Sequence, residues 1–229
     1  MTLRTLLPLL SFILSFVFAF LVLRRYVRRR GAHLLLWGIG LIFYGIGGFS
    51  EFYYGAFGWH PLIFRLWYLF GAVLVAAWLG QGTVYLLARR KVAHTLMVIL
   101  GLGSLYAVYK VFTAQLDPSL MIEGELSGHA IVTPGVRVLT PFFNLYGLVT
   151  LVGGAVYSSF LFWRKRVLLH RAIGNVLIAA GALMPAFGGF FSRLGIPYAL
   201  YVGEFLGVVL LFAGFLRATT PMKSESQAT

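Results

Sequence analysis

Cysteine is absent from the 229 residues, and Asp plus Glu number six against nineteen Lys plus Arg. Without cysteine there are no disulfides, no thiolate metal ligands and no thiol nucleophile. No G-x-S-x-G, H-E-x-x-H or Gly-rich phosphate loop is present, and no acid pair stands at catalytic spacing. Charged residues make up 11% of the chain, where a soluble domain carries roughly a quarter, which leaves no room for a water-soluble catalytic unit. The chain therefore reads as non-enzymatic. Nor do the five histidines form a metal set: His33, His94 and His170 fall at one boundary of the apolar spans, and His60 and His129 at the other.

What the chain has is apolar length. At 60% hydrophobic residues it offers seven runs long enough to cross about 30 Å of hydrocarbon: roughly 5–23, 33–54, 61–87, 93–113, 138–163, 172–191 and 197–217. The first is too long for a secretory signal core and ends in arginines rather than small residues, so it is expected to stay in the mature protein. The expected fold is an all-α integral membrane bundle of seven helices.

Fourteen of the nineteen basic residues fall between or beyond spans on one side: Arg24, Arg25, Arg28, Arg29, Arg30, Arg89, Arg90, Lys91, Arg164, Lys165, Arg166, Arg171, Arg217 and Lys223. Lys and Arg near span ends are retained in the cytoplasm, so the N-terminus is expected outside and the C-terminus inside, in a multi-pass protein of the cell membrane. The net charge of +13 is parcelled into these short turns. It points to anionic lipid headgroups on the cytoplasmic face, not to nucleic acid.

Internal similarity appears next. R-x-L-x-P opens helix 1 at Arg4 and helix 5 at Arg137. A basic turn follows in each half, then Gly47-Gly48-Phe49 and Gly188-Gly189-Phe190. Pro61 and Pro197 open the third helix of each half, with Gly71 and Gly207 ten residues on. The expected organisation is one membrane domain, made of a three-helix repeat at 4–87, a linker helix at 93–113, an outer loop at 114–136, a second repeat at 137–217 and a short cytoplasmic tail at 218–229. Four crossings separate equivalent helices, so the repeats run parallel. This 3+1+3 order is similar in topology to the SWEET-type sugar facilitators and to microbial rhodopsins. The Pro-Gln loop signature of the first is missing, and helix 7 carries Glu204 but no Lys for a retinal Schiff base.

Helices in lipid associate through small residues and a few polar bonds, which makes Gly48, Gly71, Gly189, Gly203 and Gly207 the packing candidates. Trp59, Trp67, Tyr53, Tyr54 and Tyr198 read as an interfacial belt. Ionisable groups inside spans are costly and mark sites. Glu204 lies seven residues beyond Pro197, about 10 Å into its helix. Arg65 and Lys110 sit near the same end, so an ion pair from Glu204 to one of them is expected. Tyr201 stands where the first repeat has Arg65, Tyr68 where the second has Glu204, and Ser192 where the first has Glu51. With Trp67 and His60 these complete the candidates for a ligand or ion-pair site. The outer loop, with Asp117, Glu123, Glu125 and His129, is expected to form a hairpin or a lid.

Three functions follow from this reading. The first is binding of an apolar ligand, lipid or pigment in the outer half of the bundle, and the second is service as a subunit of a larger membrane complex. The third is small-molecule transport by rocking of the repeats. No residue pattern names a cofactor.

Overall fold

The computed structural model describes residues 2–121, 125–164, 169–196 and 198–219; Glu123, Gly124, Lys165, Arg166, Pro197 and the tail from 220 onward lie outside the described residues. Seven helices are long and apolar enough to cross a membrane: α1 Leu3–Arg29, α2 Ala32–Phe57, α3 Pro61–Leu87, α4 Arg90–Thr113, α5 Leu139–Arg164, α6 Leu169–Arg193 and α7 Ala199–Thr219. Among the described residues the fold is all-helical, with no strand beyond one isolated bridge.

Several helices outrun their apolar segments. Helix α1 continues through Arg24, Arg25, Arg28 and Arg29, which hydropathy alone assigns to a loop. Arginine is a good helix former, and its charge is favoured where the last carbonyls leave a negative helix end. What stops α1 is conformational: Arg30 turns left-handed at φ 52°, and its N–H closes on the Tyr26 carbonyl at 2.7 Å. Pro61 opens α3 at a position whose N–H has no helical partner to lose. Within α3 and α5 the ladder widens to π geometry over Trp67–Leu74 and Leu148–Val152.

Side-chain contacts set the helix directions. Phe18 stacks on Phe212 at 4.8 Å, Arg4 lies over the Tyr198 ring at 5.5 Å and Arg25 over Phe215 at 5.2 Å, so α1 and α7 run parallel. Ala76 meets Gly147 and Thr83 meets Gly154, so α3 and α5 are parallel too. Consecutive helices are antiparallel. One end of the bundle therefore gathers the arginine-rich turns (the basic end), and the other carries the long loop (the loop end). Contacts close α1, α2, α3, α5, α6 and α7 into a ring in that order. Helix α4 stays outside it against α3, and exposes Val98, Ile99, Leu102, Leu105 and Tyr109 on its far face.

The tightest seam joins α6 to α7 through glycines seven apart. A Cβ on Gly174, Gly181 or Gly188 would come within 2.7 Å of α7 backbone, and one on Gly203 or Gly214 within 2.6 Å of α6 carbonyls. Gly47 meets Gly71 in the same manner between α2 and α3. Of the other expected packing glycines, Gly48 faces the α1 backbone at Pro8 and Phe12, and Gly207 faces the Gly181 carbonyl. Gly189 has only a Leu200 methyl 3.9 Å away.

The loop folds back as a cap. Asp117 donates its N–H to Ala130 and Val132 donates to Gln115, which pairs the two arms antiparallel around the Leu116–Ile131 bridge. Leu126, Ala130, Ile131 and Val136 are buried against Phe64, Tyr68 and Leu69 of α3, and Val111 of α4. Outside the helices, Asp117 is held below the usual carboxylate range by the hydroxyl and N–H of Ser119.

Candidate functional site: a carboxyl pair and an apolar cavity

Glu51 lies six residues before the end of α2, and Glu204 five residues after the start of α7. At 1.5 Å per residue both sit under ten ångströms, roughly, from the loop end of antiparallel helices. They face each other there, the carboxyl groups within reach of a hydrogen bond if one of them is protonated. Glu51 is 1% exposed, and its Oε1 accepts from Trp67 Nε1 at 2.9 Å. Oε2 of Glu51 finds no donor among the described residues unless Glu204 carries a proton. Tyr44, two helical turns before Glu51 on the same face of α2, donates its hydroxyl to the Glu204 carbonyl at 2.6 Å. Glu125 stands above the pair, its Oε2 accepting from Ser192 Oγ at 2.5 Å.

The expected ion pair does not form. Arg65 turns away from Glu204 and donates both guanidinium nitrogens to α4, one to the Val111 carbonyl and one to Ala114 O at 2.9 Å. Val111 lies in the last turn of α4 and Ala114 is the extended residue that follows it, so both carbonyls are free of helical partners and suit a five-donor cation. Lys110, on the same turn of α4, is half-buried and makes no ion pair among the described residues. His60 is exposed at the start of α3. Tyr68 bonds Thr140 on α5 at 2.8 Å, and Tyr201 is buried beside the acids. Trp67 is not part of an interfacial belt: it is 8% exposed and holds Glu51.

Of the candidates, the structure thus brings Glu51, Glu204, Trp67 and Tyr201 together and leaves Arg65, Lys110, Tyr68 and His60 on other business. Tyr44, which is not among those candidates, joins them, and so does Glu125 of the polar outer loop. The seven-residue spacing from Tyr44 to Glu51 is a usable signal, whereas the polarity of the outer loop marks Glu125 but not its place beside the acids. No group of three or more His, Asp or Glu among the described residues is arranged to hold a metal ion.

At the basic end the ring encloses a cavity of about 60 Å³, bordered by all six ring helices, with Phe18, Leu41, Leu151 and Phe215 among its apolar walls. Its polar points are Thr83, Ser158 and Asn175, together with Trp37, whose buried Nε1 has no acceptor among the described residues. A second, open cleft of about 290 Å³ runs between α3 and α5 along Val84, Leu87, Val149 and Tyr157. Thr83 and Gly154 border both spaces. The apolar volume therefore lies at the basic end, whereas the sequence reading looked for it at the other.

No protein-family model matches the chain, and neither does any curated protein or any solved structure.

Proposed function

We propose that the protein is a non-enzymatic, multi-pass cell-membrane protein that binds the acyl portion of a lipid or similar amphiphile. The ligand enters through the α3–α5 cleft and reaches toward the central cavity. The observation that carries this reading is that the two spaces lie back to back, with Thr83 and Gly154, which touch one another, bordering both. A cavity of 60 Å³ holds only a few heavy atoms, so occupation begins in the cleft and widens the ring. Trp37 Nε1, Ser158 and Asn175 then offer donors to an ester or hydroxyl. The arginine-rich turns at that end suit an anionic headgroup and a cytoplasmic placement.

Photocrosslinking in nanodiscs doped with a phospholipid bearing an acyl-chain diazirine tests it. Adducts are expected on Val149 and Tyr157 in the cleft and on Leu151 and Ala155 in the cavity, the latter pair lost in Ser158→Phe. Labelling confined to outward residues such as Leu105 and Tyr109 of α4 would refute it.

A second reading, transport by rocking of two parallel three-helix repeats, has a specific observation in its favour. The units α1–α3 and α5–α7 touch through α1 with α7 and through α3 with α5. Exchanging the two units maps one seam onto the other, as a parallel duplication requires. Close glycine contact recurs within each unit, Gly47 with Gly71 and Gly188 with Gly203. The nearly apolar centre favours an amphiphilic cargo over a sugar or an ion.

A further inference from the structure

We propose that Glu51 and Glu204 form a proton-binding site that latches α2 of the first three-helix unit to α7 of the second, and that loss of its proton releases the loop end of the bundle. Two carboxyl oxygens approach within hydrogen-bonding reach only when one of them carries hydrogen, since two carboxylates are both acceptors and repel. The pair joins helices that also share an apolar core, Leu34 and Leu41 of α2 lying in one cluster with Val208, Leu211 and Phe215 of α7. Helices α2 and α7 are not adjacent in the ring order, and among the described residues a second polar link joins them, from Tyr44 to the Glu204 carbonyl.

An independent observation is the orphan oxygen. Glu51 is 1% exposed, its Oε1 is taken by Trp67, and among the described residues its Oε2 has no donor other than a protonated Glu204. A buried acceptor left in that condition is uncommon, so the proton is a structural component of the site.

Among the described residues the surroundings supply no cation in place of that proton. From α2 comes Tyr44, from α3 the neutral indole of Trp67, from α7 Tyr201, and from the loop Glu125. Arg4 of α1 acts on Tyr201 and lies over the Tyr198 ring. Ser192 of α6 donates to Glu125, and Arg65 is engaged on α4. Glu125 above the pair supplies a carboxylate through which a proton can leave or arrive. The two units are therefore coupled to pH at the end opposite the lipid cleft, and this inference stands whether or not that cleft binds lipid.

The absence of native cysteine makes the test clean. Phe57→Cys and Val202→Cys place spin labels near the loop ends of α2 and α7, and their separation is followed by pulsed electron resonance from pH 5 to 10. The expected result is one close population at low pH and a longer one at high pH, their ratio changing up to tenfold per pH unit as one proton is lost. Glu51→Gln keeps the latch closed across the range, because its amide donates to Glu204 without a titrating proton. A parallel infrared titration of the wild type should show a carboxylic-acid C=O band at neutral pH that disappears in step with the separation. A distance distribution that ignores pH, a shift that survives in Glu51→Gln, or a wild type lacking that band would each overturn the proposal. If Glu51→Gln does not fold, the two wild-type titrations decide.

Discussion

Gly181 sits midway along the α6–α7 seam, and the effect of giving it one methyl group can be worked from the distances. A Cβ there falls 2.7 Å from Leu211 N, 2.8 Å from Gly207 O and 3.0 Å from Leu210 Cβ, two of the three being backbone. Ordinary contact begins near 3.4 Å, so Gly181→Ala must drive α7 away by about 0.7 Å, and no rotamer change relieves it. Overpacking of this kind costs about 1–3 kcal/mol. Alanine also favours a helix over glycine by roughly 1 kcal/mol, which offsets part of the loss. Gly101→Ala on α4 separates the two effects, since a Cβ there meets nothing within 4 Å and keeps only the propensity gain. The measurement is reversible unfolding of both variants in mixed micelles against rising dodecyl sulfate, read by circular dichroism. Gly181→Ala should unfold earlier than wild type and Gly101→Ala at the same point or later, the two differing by about 1–3 kcal/mol. Equal midpoints would mean that the seam is looser than its glycines indicate.

Removing the guanidinium with Arg65→Met leaves the Val111 and Ala114 carbonyls without their donor, at about 1–3 kcal/mol for the buried acceptors; hydrogen exchange should quicken at the end of α4 and not in α6. Trp67→Phe retains the ring and deletes the 2.9 Å bond to Glu51, so thermal stability in detergent should fall by roughly 1 kcal/mol, and by less when Glu51→Leu is already present. A reporter fused after Thr229 should be cytoplasmic and a tag at Ser119 reachable from outside intact cells, because the basic turns all lie at the opposite end from that loop. Labelling of the Ser119 tag only after permeabilisation would reverse the orientation.

The helices were legible because hydropathy over twenty residues is a property of segments. Their ends were not, and α1 shows why: Arg24 to Arg29 are polar enough to suggest a loop yet are good helix residues, and the stop depends on one backbone angle at Arg30. The candidate acids were legible by depth, since Glu51 and Glu204 both lie near the loop end. Their partnership was missed because charge counting pairs an acid with a base, and treats two acids as repelling. Arg65 was drawn toward Glu204 by the same habit, although the open carbonyls of a neighbouring helix end are an equally good anion-like target. Glu125 and the cavity depend on how distant segments fold together. The polarity of its loop marks Glu125 but not its neighbours, and the cavity leaves no local trace in the chain.

The π segments bear on how such a ring can deform. Each is the helical counterpart of a dislocation in a crystal: a surplus residue taken up by shifting hydrogen bonds to i→i+5, a defect that can glide along the chain by exchanging one bond at a time. Helix α3 carries one at Trp67–Leu74 and α5 one at Leu148–Val152, and Asn144 Nδ2 reaches the Ala72 carbonyl between the two regions at 3.2 Å. The α1–α7 seam has regular helices on both sides, fastened by stacked phenylalanines and by arginines lying over rings. The two joins of the ring are thus built differently, one with a π segment on each side and the other packed by rings and cations, so a strain applied to the ring is expected to be taken up beside the α3–α5 cleft.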